Sequence, residues 1–398
     1  LHNNYGWLFH AVQAPPRPER VMPNMRECRP VLSSFSVALL VALTVACGSK
    51  APAAFVQNPF PLLTWMGEST KPAGTVYPQL GPGAKFGSIS GLAPDAVTKQ
   101  WVGVIDERDH SRVAWLAVNY TGRTLEVAPT KMVELRAGSG VPGYRATEAD
   151  LEGIVALKDG TFLASEEGHF SDGRQETWNP ALLHFTREGL VTEVIDFPEE
   201  YRMTRDRTRG VRNNLGFEAL ALTPIGHVIA GLEQPLIQDG NTTSSERPGS
   251  GRLVEFEPNG KSFKAARQWR YMISPTPLMD NFEQPCPDGD NGLVELLGLS
   301  ETTLISMERA CLLSNDKQFV ANAIRMYSVT LSGSEARKRL LLDFNDVQPR
   351  LSAALSRLDN FEGMTFGPIV DGRPTILVVS DDNFRSTQKT SFLLFGMR

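Results

Sequence analysis

Several things that would mark a familiar function are missing from this chain. No P-loop, dinucleotide fingerprint or His-Glu-x-x-His occurs, and Gly87-Ser-Ile-Ser-Gly91 sets Ser90 one place off the Gly-x-Ser-x-Gly elbow of serine hydrolases. Long basic tracts are absent as well, and the net charge is -5, so nucleic acid is not an expected partner. The longest apolar run, Val31 to Val45, falls short of the ~20 residues a spanning helix needs. Helical periodicity is nearly absent after it, the exceptions being Asp346 to Leu358 and a short turn near Ala146. Cysteine is scarce, with four in 398 residues, and two of those, Cys28 and Cys47, lie near the start.

What is present begins with a targeting pattern. Residues 1–24 carry scattered proline and arginine without periodicity and read as a disordered or non-native extension. Residues 25–47 follow a signal-peptide plan: Arg26 and Arg29, the apolar run, then Ala46-Cys47. They match a relaxed lipobox, with Thr44 in the usual leucine position, so Cys47 is the expected lipidation site. Simple secretion with cleavage near Ala46 is the alternative. Residues 48–60 are small and proline-bearing, as a tether should be, and 61–398 form the expected folded domain. The chain is expected to be exported to a bacterial cell envelope, lipid-anchored or periplasmic, or secreted, touching a membrane only through the lipid, and as a monomer.

The folded part is built from copies of one hairpin. Glu152 opens an apolar run, Lys158-Asp159-Gly160 supplies a tight turn, and Thr161 to Ser165 returns to Glu166 and Glu167. Gly216-Phe-Glu218 to Glu233, Gly292 to Glu308 and Asn360-Phe-Glu362 to Asp381 repeat the plan, and Ser88 to Asp106 is a degenerate first copy. Two further strand-like runs follow each hairpin. Four antiparallel strands per repeat predict an all-β fold, a β-propeller. Six blades are preferred, the sixth built from Trp65-Met66 and Ser391 to Gly396, with five or seven left open.

Innermost strands line a propeller's channel, so Glu152, Glu218, Glu295 and Glu362 are expected to form one ring at a mouth, with Glu166, Glu233, Glu308 and Asp381 beside them. Carboxylates gathered in this way raise one another's pKa unless a cation compensates, and oxygen ligands suit calcium before magnesium or manganese. Each glutamate could instead bond to backbone amides of the next blade and fix the ring's geometry. His169 is a candidate general base, and Arg309 a group that neutralises acid or binds an anion. The arginines of Glu199 to Asn214, among them Arg202, Arg205 and Arg209, could grip phosphate or simply be solvated. Cys286 and Cys311 flank the Gly292 hairpin, and export favours a disulfide between them over two buried thiols.

Leu151-Glu-Gly-Ile, Ala164-Ser-Glu-Glu-Gly, Gly216-Phe-Glu-Ala-Leu, Gly231-Leu-Glu-Gln-Pro-Leu and Asn360-Phe-Glu-Gly-Met together resemble the phytase-like domain family described as having esterase-like activity. The resemblance runs from about Phe86 to the C-terminus. It implies an exported propeller related to alkaline phytases, in which channel acids hold calcium and phosphate esters are hydrolysed. On that basis the expected function is hydrolysis of a small ester or phosphate ester, with Glu152, Glu218 and Glu362 as ligands or base. A calcium-dependent lactonase is a variant, and a non-catalytic binding propeller is the alternative from another class.

Overall fold

The computed structural model describes residues 60–398 apart from 82–83, 172–175, 287–290 and 319. The signal, tether and Cys47 expectations fall outside the described residues.

Each hairpin copy contributes an inner strand whose residues are buried on both faces, which is why these runs read as almost unbroken small and apolar residues. The inner strands are Ile89–Asp95, Leu151–Ala156, Phe217–Leu222, Gly292–Gly298 and Asn360–Phe366. Three antiparallel strands follow outward from each of the first four. In the last unit the outermost place is taken by Leu63–Pro72, which pairs with Lys389–Met397. The inner strands pack side by side in order, and Asn360–Phe366 meets Ile89–Asp95 to close the ring. Apolar clusters fill the gaps between neighbouring sheets, for example Val102, Trp115, Ile154 and Phe162 between the first two. The fold is a β-propeller.

Among the described residues there are five four-stranded units, not the preferred six. The correction comes from the termini. Trp65 pairs with Phe395, and Phe395 also pairs with Ile376, so the strands assigned to a sixth blade complete the fifth. A first strand clasped by the last removes the edge that an open ring would expose. The expected helix at Asp346 to Leu358 is a series of short 3-10 turns, because Pro349 lacks a donor and Leu351 and Ser352 are extended.

Every inner strand carries a register shift near its start, between Ile89 and Gly91, Leu151 and Ile154, Phe217 and Ala219, Leu293 and Glu295, and Phe361 and Gly363. Such a bulge re-aims one side chain. Beside it the strands approach closely: a Cβ on Gly91 would lie 2.4 Å from the Glu152 carbonyl oxygen, and one on Gly153 would lie 2.5 Å from that of Glu218. The Glu-Gly pairs of the sequence thus join an aimed side chain to a position that admits none.

Candidate functional site

The bulges set which acids face the channel. The bulged residue is Ser90, Glu152, Glu218, Val294 and Glu362 in successive blades. On the second strands Ile105, Glu166, Leu232, Glu308 and Ser380 lie opposite the residue just before the bulge. Of the residues after these, Asp106, Glu233, Arg309 and Asp381 line the channel cavity, and Glu167 lies against the channel acids Glu218 and Glu233. Asp150, just before the second inner strand, adds another carboxylate. Two triads result: Asp106, Asp150 and Glu152 in one, Glu167, Glu218 and Glu233 in the other, the chosen oxygens of each lying within 4.8 Å of one another.

Three expected ring members are placed elsewhere. Glu295 sits one residue past the bulge, and a shift of one turns a strand side chain to the other side. Its buried carboxylate accepts from the backbone N–H of Leu220 (3.1 Å), Leu296 (2.9 Å) and Met364 (3.5 Å), bracing the neighbouring inner strands. Glu308 pairs with Lys338 and accepts from Tyr271 Oη (2.8 Å), Asn291 Nδ2 (2.9 Å) and the Ser274 N–H (3.1 Å). Glu166 accepts from Tyr144 Oη at 3.2 Å, and Glu167, its neighbour, takes the channel position expected of it.

The electrostatics of the channel are strained. Burial raises the Asp106, Glu152, Glu167 and Glu218 carboxyls well above the usual carboxylate range, and neighbouring acids push them further. Burial and Glu362 push Asp381 up to about 7. Two arginines compensate in part. Arg309 donates to Glu362 Oε1 at 2.5 Å, and the negative charge of Glu362, Glu218 and Glu233 holds its guanidinium protonated against burial. Arg108 donates to Asp150 Oδ2 at 2.6 Å. Asp150 Oδ1, Glu167 Oε2 and Glu218 Oε2 remain buried without a hydrogen-bond partner.

Asp106, Glu152, Glu218, Glu233, Arg309, Glu362 and Asp381 line one cavity of about 810 Å³. Its outer wall includes Arg357, Arg385 and Lys389, together with Cys286 and Cys311, which form a disulfide. His169 is not in that lining. Its ring stacks on Trp178 at 5.3 Å, and burial lowers its pKa. The Glu199 to Asn214 arginines also stand outside the cavity: Arg202 pairs with Asp196 at 2.8 Å, Arg207 covers the Phe170 ring at 4.1 Å, and Arg205 and Arg209 are exposed. The cations that line the cavity come instead from three other stretches of chain, around residues 309, 357 and 385–389.

Asp106, Asp150, Glu167 and Arg108 escape a reading that aligns glutamates by eye. The signal that finds Asp106 and Glu167 is the apolar residue before each bulge. Aligning Ile89, Leu151, Phe217, Leu293 and Phe361 brings Val294 into the glutamate position and Arg309 into the acid position.

An uncharacterized secreted protein of Arthroderma benhamiae is 25% identical over 170 residues, covering 37% of this chain and 31% of its own length, so the chain spans about a third of that relative. Among solved structures, an endo-arabinase from Bacteroides thetaiotaomicron is similar at 9% identity and a TM-score of 0.42, covering 84% of this chain and 97% of its own. A gluconolactonase from Xanthomonas campestris is similar at 11% identity and a TM-score of 0.32, covering 86% of this chain and 99% of its own. These distant likenesses say nothing about chemistry. Residues 84–384 match the family model described as phytase-like, esterase-like activity of phytase, and the chain belongs to that family.

Proposed function

We propose that the chain is an exported hydrolase that cleaves an ester or phosphate ester at the acidic mouth of its channel. The observation that carries this reading is the convergence on one cavity of two carboxylates from each triad, Asp106 with Glu152 and Glu218 with Glu233, and a buried arginine. Export is supported by the targeting pattern of residues 25–47 and by the likeness to a secreted protein.

The donor set fits a hard divalent cation, calcium first. All its ligand atoms are carboxylate oxygens, and three of these carboxylates keep a buried oxygen unsatisfied, which costs free energy unless a cation or proton meets it. A divalent ion held by a triad would supply positive charge to polarise an ester oxygen and to lower the pKa of water. The chain's residues would do the rest. Arg309, facing the same cavity, would stabilise negative charge developing on the ester oxygens. Glu362 is held in place by Arg309 and by Asn360 Nδ2, which donates at 2.8 Å. Asp381, with its carboxyl near neutrality, can take up or release a proton at physiological pH. A lactone would use the same groups and differ only as substrate.

Turnover of a panel of aryl phosphates, carboxylate esters and lactones, with and without chelator, tests the reading. Activity that chelator removes, and that Glu218→Gln abolishes while Glu166→Gln keeps it, is expected. No turnover of any member would leave the mouth as a binding site and contradict the hydrolase reading.

A further inference from the structure

The end of the propeller opposite the acidic mouth has its own character. The turns joining inner to second strands lie there, and they carry Val97, Ile225 and Ile369, which are 64%, 45% and 42% exposed. Aliphatic side chains at turn tips gain nothing from water, and three of the five turns present one. The tips sit close together: a Cβ on Gly160 would lie 3.5 Å from Val97 Cγ2, and Lys158 Nζ reaches the Pro224 carbonyl at 3.4 Å.

The chain enters the propeller at this same end. Leu62, 66% exposed, exchanges backbone hydrogen bonds with Arg398. The Met397 N–H bonds to the Pro374 carbonyl of the turn that carries Ile369. Half of the large exposed apolar side chains among the described residues therefore fall on one face, beside the entry point of the preceding chain. That preceding chain holds the apolar run Val31 to Val45 and Cys47. Residues 48–59, fully extended, span at most ~40 Å.

We propose that this face is a lipid-contacting surface. Val97, Ile225, Ile369 and Leu62 dip into the interfacial layer of a phospholipid bilayer, and the acidic mouth points away from it. The inference rests on Cys47 being the anchor and is independent of what the mouth hydrolyses. Side chains that enter the headgroup boundary gain by the same burial that drives amphipathic segments to membranes. Exposed Lys99, Lys158 and Arg373 on these turns are matched by Asp159, Glu301 and Asp371, so anionic headgroups are not repelled.

The test uses the full lipidated chain on phosphatidylethanolamine–phosphatidylglycerol vesicles, with an environment-sensitive fluorophore on Ile225→Cys or, at the mouth end, on Ser386→Cys. The fluorophore at position 225 should shift to the blue and be quenched by spin-labelled lipid, and neither should happen at position 386. Adding Val97→Asp and Ile369→Asp should abolish the shift while the protein still floats with the vesicles. Flotation without a shift at 225, a shift at 386, or failure to float would each overturn the proposal. So would a shift at 225 without vesicles that tracks doubling of mass in sedimentation, which would make the face a contact between two copies.

Discussion

In the second and third blades the inner hairpin delivers Glu152 with Glu167, and Glu218 with Glu233, to the channel. The fourth blade presents Val294 and Arg309 at the same positions, while its own Glu295 and Glu308 turn between the blades. These hairpins are alike in composition and opposite in chemistry. Glu308 is matched by a lysine and three further donors, whereas Glu218 has no hydrogen-bond partner for its buried Oε2 and faces other acids. Between these hairpins one residue of strand parity decides whether a carboxylate meets donors between the blades or other acids in the channel. Those in the channel are available to a ligand.

The comparison can be broken most severely at Arg309. Arg309→Met removes the partner of Glu362 and the charge facing Glu218, and breaking a buried pair costs about 4 kcal/mol. Chemical denaturation should show that loss, and a variant as stable as the parent would show that the fourth blade's arginine compensates nothing. Glu295→Leu comes next. It leaves three backbone N–H groups without their acceptor, for an expected loss of about 3 kcal/mol, with calcium affinity unchanged. If calcium affinity collapsed instead, Glu295 would belong to the channel after all.

The same comparison can be sharpened by pH. Asp381 has a folded-state pKa of about 7, above the ~4 of an unfolded aspartate. Its contribution favours the folded state fully below that unfolded value and is lost as pH rises towards 7. The raised triad acids act in the same direction. The melting temperature of calcium-free protein should therefore fall between about pH 4 and pH 8, and calcium should flatten the slope. A rise over that range would contradict the assigned burial of these acids.

How much of this was legible in the sequence depends on which periodicity carried it. Four strands per repeat, and acids at the open ends of the inner hairpins, follow from alternation and turn residues, and these lead to the propeller and its acidic mouth. The paired Cys286 and Cys311 followed from the hairpin between them. Bulges interrupt alternation by one residue, and only an alignment on the apolar residue before each of them recovers the register. That is why Glu295, Glu308 and Glu166 pass for channel residues while Asp106, Asp150 and Glu167 do not. Blade number was hidden for another reason: the terminal runs around Trp65 and Ser391 to Gly396 were expected together, and only the pairing of Lys389–Met397 with Thr375–Asp381 shows that they complete the fifth blade and do not form a sixth. Nor does a run of arginines in Glu199 to Asn214 say where its loop lies.

Adjacent residues allow the most direct test of the central claim, that strand parity selects which carboxylates hold a cation. Calcium binding by isothermal titration calorimetry should be lost or weakened at least about tenfold, ~1.4 kcal/mol, in Glu167→Gln and left near that of the parent in Glu166→Gln. Equal losses in both, or a loss in Glu166→Gln alone, would contradict the account.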